Sequence, residues 1–267
     1  MRSIVSDTNW TTILGVPVSM VDLPGAAARM IRWAKEQDQE HQVFARDVAS
    51  LMLTTRQPEL LALHKQASLV VPDGSPLVWI SRMRGLGAHI GRVPGPDLVD
   101  EVCRLSVSLG LSHFFYGGKP TVAKRMADAL SRRYPGLKVA GIWSPPMRDI
   151  GPDFDPSLVC TEELCAIQQS GADFIWVGLS SPKQEYWIAN AAPLLGRGVF
   201  VGVGAAFDFH SGAVRRAPAW MQRNGLEWLH RLISEPRRLW KRYLLLAPAF
   251  VIRTMVELAR EARPRSG

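Results

Sequence analysis

Short apolar runs rich in β-branched and aromatic residues recur along the chain, at Val43–Ala45, Leu69–Val71, His113–Tyr116, Lys138–Ile142, Asp173–Val177 and Gly198–Val203. They read as strands. Between them the apolar positions take a helical spacing, which predicts helices near 24–36, 75–84, 97–109, 120–134, 160–170 and 184–195. Strands alternating with helices of about 10–15 residues build βαβ units, hence a mostly parallel sheet with helices on both faces. The fold class is therefore α/β and Rossmann-like. Around residue 215 the alternation stops and a helical pattern rich in Arg and Trp takes over. The chain divides there into a core, 1–214, and a helical C-terminal appendage, 215–267.

Charge sharpens that division. The net +8 comes entirely from the appendage, which holds twelve Lys/Arg against four Asp/Glu, while residues 1–214 balance at 20 against 20. Such asymmetry predicts an anionic partner for the tail, a membrane surface or a nucleic acid. From Arg237 onward, a helical projection gathers Lys241, Arg238 and Arg242 within an arc of about 140°. Leu239, Tyr243, Leu246 and Phe250 fall opposite. This is the pattern of a helix lying in a membrane interface, or of one packed on its own domain with its arginines in solvent. Glu227 and Arg231, four apart, are placed to pair with each other.

Composition excludes several classes. Apolar residues at 47% and charged residues at 21% describe a packed globular chain. The longest apolar stretch, Leu244 to Ile252, is about half the roughly 18–20 residues that cross a bilayer, and it contains Pro248. Met1 to Trp10 is too polar for a secretory signal. Cys103, Cys160 and Cys165 form neither a metal pattern nor an even disulfide set, so a reducing cytoplasm is expected.

In open parallel sheets ligands bind beyond the carboxyl ends of the strands, so residues just after each run are the candidates. Asp73, in Pro72-Asp73-Gly74, is placed for a general base or for a turn and helix cap. Gly117-Gly118-Lys119 opens a helix and suits either a diphosphate cradle or a plain βα turn. Pro120 stands where a Walker loop needs Ser or Thr. Gly202 and Gly204 begin a dinucleotide fingerprint that lacks its third glycine, and the turn delivers Asp208 to the strand end. Lys183 and Gln184 offer donors at the mouth of the sheet, and Arg92 stands near a helix entry. Asp153 and Asp155 lie in a proline-bounded loop with no strand before it and read as solvated rather than metal-binding. The six histidines lack ligand spacing and read as structural.

An ordered series of segments resembles the WecG/TagA/CpsF glycosyltransferases (glycosyltransferase family 26). They are LVVPDG at 69–74, RVPGPDL at 92–98, FFYGGKP at 114–120, YPGLKVAG at 134–141, VGLSSPKQEYWI at 177–188, VGVGAAFDFHSG at 201–212 and the long RAPAWMQRNGLEWLHRLISEPRRLWKRY at 216–243. The resemblance implies an inverting, metal-independent enzyme without a cofactor, peripheral to the inner face of a bacterial membrane. It would move a sugar (N-acetylmannosamine, its uronate or a related hexose) from a UDP-sugar to a polyprenyl-diphosphate-linked saccharide in surface or exopolysaccharide synthesis. It further implies that Asp73 is the base, that Arg92, Gln184 and Asp208 line the donor pocket, and that Arg216, Arg231 and Arg238 face the diphosphate. An anionic membrane surface is the expected partner and nucleic acid is not, and homo-oligomerisation is left open. Many relatives carry Thr-x-Asn where this chain has Ala45-Arg46-Asp47, so Asp47 offers a donor sugar different hydrogen bonds. The competing readings are a nucleotide-dependent oxidoreductase, which lacks the full glycine fingerprint, and a nucleic-acid-binding module using the basic tail with Trp220, Trp228 and Trp240.

Overall fold

The computed structural model describes residues 9–87 and 89–261; the side chains of Arg238 and Arg242 also lie outside the described set. The chain opens with a hairpin, β1 (Trp10–Ile13) and β2 (Val16–Ser19), followed by α1 (Leu23–Glu36) and β3 (Glu40–Arg46). Then come α2 (Val48–Thr54), α3 (Pro58–Gln66), β4 (Leu69–Pro72), α4 (Ser75–Met83), α5 (Gly95–Leu109), β5 (Ser112–Gly117), α6 (Pro120–Arg133) and β6 (Lys138–Trp143). The core closes with α7 (Pro156–Val159), α8 (Thr161–Ser170), β7 (Phe174–Gly178), α9 (Lys183–Leu195), β8 (Gly198–Gly202) and α10 (Ala206–His210). The appendage contributes α11 (Ala219–Arg223), α12 (Glu227–Ser234), α13 (Pro236–Trp240), a π-helical stretch (Lys241–Leu246) and α14 (Ala247–Glu261).

The six strands expected from the sequence form one sheet, ordered β4-β3-β8-β7-β5-β6, and every neighbouring pair is parallel. Strand alternation sends Val43, Phe115, Phe174, Trp176, Val199 and Val201 to the face covered by α1, α5 and α6. Phe44, Phe114, Tyr116, Ile175, Val177 and Phe200 go to the face covered by α3, α8 and α9. His113, enclosed in this sheet, accepts from Trp176 Nε1 at 3.0 Å, and burial lowers its pKa to about 3, so it is a neutral structural histidine.

The β1–β2 hairpin and helices α2, α3, α7 and α10 were not expected. The β1–β2 hairpin turns on Leu14 and Gly15, both at positive φ, and a leucine at such a position gives no turn signal. Ser19 Oγ in this hairpin accepts from the Val70 amide at 2.9 Å, which ties it to β4. Helix α2 is announced only by its cap: Asp47 accepts from the Ser50 amide at 3.0 Å, and Ser50 Oγ accepts from the Asp47 amide at 3.0 Å. Helix α3 begins at Pro58.

A third apolar cluster joins Ile13, Val16 and Val18 of the hairpin to Leu51, Leu77, Val78 and Ile80, and Phe250 of α14 fills it. Arg84 clamps the same helix, reaching Glu257 at 2.8 Å and Glu261 at 2.8 Å. The interfacial face expected from the helical projection is therefore corrected. Leu239 and Phe250 are buried in the protein, Phe250 because the hairpin, α2 and α4 leave an apolar cleft that α14 closes. The exposed apolar side chains of the tail instead include Trp240, Leu244, Leu245, Val251 and Ile252. No helix among the described residues is long and apolar enough to cross a membrane.

At the carboxyl edge of the sheet, Arg46 of β3 and Glu185 of α9 form an ion pair with no exposed side-chain surface, and Arg46 Nη1 donates to Ser181 Oγ at 2.9 Å. Removing one member of such a pair strands the other charge. Glu185→Gln should cost about 3–5 kcal/mol of unfolding free energy, whereas Arg46→Met combined with Glu185→Leu should cost far less, in urea titrations. Similarly, Phe250, 1% exposed, should cost about 3–5 kcal/mol on truncation to Ala. Leu244, 56% exposed, should cost no more than about 0.5 kcal/mol, and equal losses would refute the placement of α14.

Candidate active site

Because all six strands run the same way, their carboxyl ends meet on one edge, and most of the candidate residues gather there. Asp47 and Asp73 follow the neighbouring strands β3 and β4. The Asp73 amide donates to the Arg46 carbonyl at 2.8 Å, and a Cβ on Gly74 would lie 3.3 Å from Asp47 Cα. The absent side chain at Gly74 thus lets the two carboxylate-bearing turns pack together, with Asp73 half-buried at the strand end. Asp47 is engaged as the α2 cap described above.

On the other side of β3, the chain leaves β8 through Gly202 and Gly204. A Cβ at Gly202 would meet Gln184 Nε2 at 3.0 Å, so glycine there admits the Gln184 side chain over the strand end. Gln184 is 4% exposed; its Nε2 donates to Glu185 at 3.0 Å, and its Oε1 is buried without a hydrogen-bond partner among the described residues. A buried acceptor in that state is suited to a donor brought by a ligand. Asp208 sits in the first turn of α10, half-buried, and its carbonyl accepts from the Val214 amide at 3.1 Å.

Gly117 ends β5 and Gly118 follows it, both at positive φ. The Gly118 amide donates to the Gly178 carbonyl at 3.0 Å, and a Cβ on Gly117 would lie 2.7 Å from the Gly178 backbone. The amide expected to face a diphosphate is therefore committed to closing β5 against β7. Lys119 is exposed and precedes α6. These observations favour the plain βα turn over the cradle. Asp155, expected to be a solvated loop residue, accepts from the Ser157 amide at 2.9 Å and caps α7.

The appendage meets the core through arginines. Arg92 donates from Nε to the Asp73 carbonyl at 2.9 Å, from Nη1 to the Gln222 carbonyl at 3.2 Å and from Nη2 to Glu227 at 2.6 Å. Arg216 donates from Nε to Glu227 at 3.0 Å and directs both Nη atoms to Asp97, Nη2 at 3.0 Å. Burial alone would raise the Glu227 pKa, but the Arg92 and Arg216 guanidiniums outweigh it and hold the carboxyl below its ordinary range. The expected Glu227–Arg231 pair is thus replaced by long-range partners. A local i,i+4 pairing in solvent is worth little, whereas two guanidiniums converging in a half-buried setting hold a carboxylate strongly.

Freed from Glu227, the Arg231 guanidinium lies 5.4 Å from the centre of the Phe209 ring, and its Nε is buried without a hydrogen-bond partner among the described residues. Arg216, in contrast, has all three guanidinium nitrogens engaged, so its observed role is to tie appendage to core. Arg238 lies outside the described side chains. Sequence reading passed over Asp97, Gln222 and the central place of Glu227, whose partners lie far along the chain.

Comparison with known proteins places this architecture. The model of the Glycosyl transferase WecG/TagA/CpsF family matches residues 11–264. An N-acetylglucosaminyldiphosphoundecaprenol N-acetyl-beta-D-mannosaminyltransferase of Bacillus subtilis (strain 168) is 34% identical over 191 residues, which is 72% of this chain and 70% of the relative. A protein of the same name from Bacillus spizizenii is 30% identical over 207 residues, 78% of this chain and 76% of the relative. The oxidoreductase suggested by the partial glycine fingerprint is set aside by these matches. The chain belongs to the WecG/TagA/CpsF family and is a glycosyltransferase.

Proposed function

We propose that the enzyme transfers N-acetylmannosamine or a related hexose from a UDP-sugar to a polyprenyl-diphosphate-linked saccharide in cell-envelope polysaccharide synthesis. The relatives' names supply the donor sugar class and the undecaprenyl-diphosphate acceptor. The observation that carries the reading is Asp73 at the carboxyl end of β4, half-buried, with its carbonyl held by Arg92 beneath the appendage.

In the proposed reaction Asp73 takes the proton of the acceptor hydroxyl as that oxygen attacks the anomeric carbon. The bond to the β-phosphate oxygen breaks on the opposite face, so the configuration inverts and UDP departs. In this reading Arg231, whose buried Nε has no hydrogen-bond partner among the described residues, meets the charge on the leaving diphosphate, and a divalent metal is not needed. Gln184 Oε1 is the acceptor for a donor-substrate N–H or O–H, and Asp208 lines the same side. Asp47 stands beside Asp73 and would present a carboxylate to the sugar.

Membrane contact falls to the exposed apolar residues Trp240, Leu244, Leu245, Val251 and Ile252, with the exposed Arg237, Lys241 and Arg253 beside them. This keeps the interfacial role of the tail and changes the residues that carry it.

Asp73→Asn should lower turnover of a soluble lipid-diphosphate analogue by about 10²–10⁴ while leaving UDP binding intact by calorimetry. Excess chelator should leave the wild-type rate unchanged. Near wild-type turnover of Asp73→Asn, or inactivation by chelator that manganese or magnesium reverses, refutes the reading. For the membrane, neutralising Arg237, Lys241 and Arg253 together should weaken co-sedimentation with anionic vesicles by about two orders of magnitude. Replacing the buried Leu239 by Val should leave it unchanged.

A further inference from the structure

We propose that Glu227 is a positioning residue that couples the seating of the appendage to the alignment of the base and of Arg231. The inference rests on the reading of Asp73 and Arg231 given above. A continuous chain of contacts runs from the Asp73 carbonyl through Arg92 to Glu227, and from Glu227 through Arg216 to Asp97. Asp73, Arg92 and Asp97 belong to the core; Arg216 and Glu227 belong to the appendage. Glu227 is 9% exposed and is the link common to both arginines.

Its chemistry decides two things at once. The carboxylate draws Arg92 toward α12, and Arg92 Nε in turn holds the peptide of Asp73. Glu227 also fixes the rotation of α12 about its axis, because its side chain must point between the two guanidiniums. Four residues on, one turn further, the same face carries Arg231 to Phe209. Had Glu227 taken its local partner, Arg231 would already be neutralised. By engaging the core instead, Glu227 leaves the Arg231 Nε buried over the Phe209 ring and without a hydrogen-bond partner among the described residues.

Without the Glu227 carboxylate, Arg92 and Arg216 face each other across a half-buried gap with only Asp97 to balance them. That repulsion displaces α12, and with it Arg231, while the sheet stays intact. A displacement of about 1 Å at a positioned group can cost on the order of 10²-fold in rate.

The test uses the full chain with Glu227→Ala, Glu227→Gln and Asp73→Asn, a UDP-sugar donor and a soluble lipid-diphosphate analogue. Both Glu227 variants should lose about 10²-fold in kcat. The donor KM should move much less, because Gln184 and the strand ends remain in place. Formate, a carboxylate small enough for the vacated gap, should restore a several-fold gain in Glu227→Ala and none in wild type. Amide exchange should rise across Glu227–Ser234 and stay unchanged in β3 and β8. Glu227→Ala with near wild-type kcat overturns the proposal. So does a loss that formate does not relieve, or one accompanied by loss of protection in β3 and β8. If Asp73→Asn keeps full activity while Glu227→Ala is impaired and rescued, the base assignment fails and the coupling stands. The reverse pattern leaves the base in place and removes the coupling.

Discussion

Parallel strands must all end on the same edge, and nearly everything chemical in this enzyme follows from that constraint. A parallel sheet cannot be built from hairpins; each strand returns by a helical crossover, and each crossover begins with a turn at the carboxyl edge. Five turns at this edge bring Asp47, Asp73, Gly117, Ser181 and the Gly202–Gly204 corner, distant in sequence, to one line. Glycine is used there where backbone must approach backbone or side chain: at Gly74 against Asp47, at Gly117 against Gly178 and at Gly202 against Gln184. The edge is thus compact beneath and open above, and the appendage occupies the open side.

The appendage is attached by two kinds of force at two places. At the hairpin end, Phe250 fills an apolar cleft and Arg84 clamps Glu257 and Glu261, giving a docking that is mainly packing. At the site end the attachment is ionic, through Asp97, Arg216, Glu227 and Arg92. Packing is insensitive to small anions and holds the tail in place. Ionic contacts respond to charge arriving nearby, which suits the end where the proposed reaction would bring and release an anionic diphosphate. The buried Arg46–Glu185 pair ties β3 to α9 beneath, and so fixes the spacing of Gln184 and the Asp47 turn.

The sequence made the sheet legible because each strand is a short apolar run between helical stretches, and parallel order follows from the alternation. Its end residues, Asp73 and Asp208 among them, were legible for the same reason. The ordered motifs then identified the family. The hairpin was hidden because Leu14 and Gly15 do not advertise a turn, and α2 because its seven residues show only a cap, Asp47 with Ser50. The turn at Gly118 was ambiguous because nothing local says that its amide belongs to Gly178.

What the sequence determined by itself was therefore everything with a local signature: strand and helix periodicity, the change of pattern near residue 215, the basic tail and the motifs. What the tertiary structure alone decided was which partner each competent group takes. Helical periodicity put Phe250 on an apolar face, but periodicity cannot say whether water, lipid or protein lies against it; the cleft beside the hairpin does. Glu227 had a willing cation four residues away, and yet it engages Arg216 and, 135 residues distant, Arg92. Two converging guanidiniums in a partly dry setting bind a carboxylate more strongly than one in solvent, and only the folded chain brings them together.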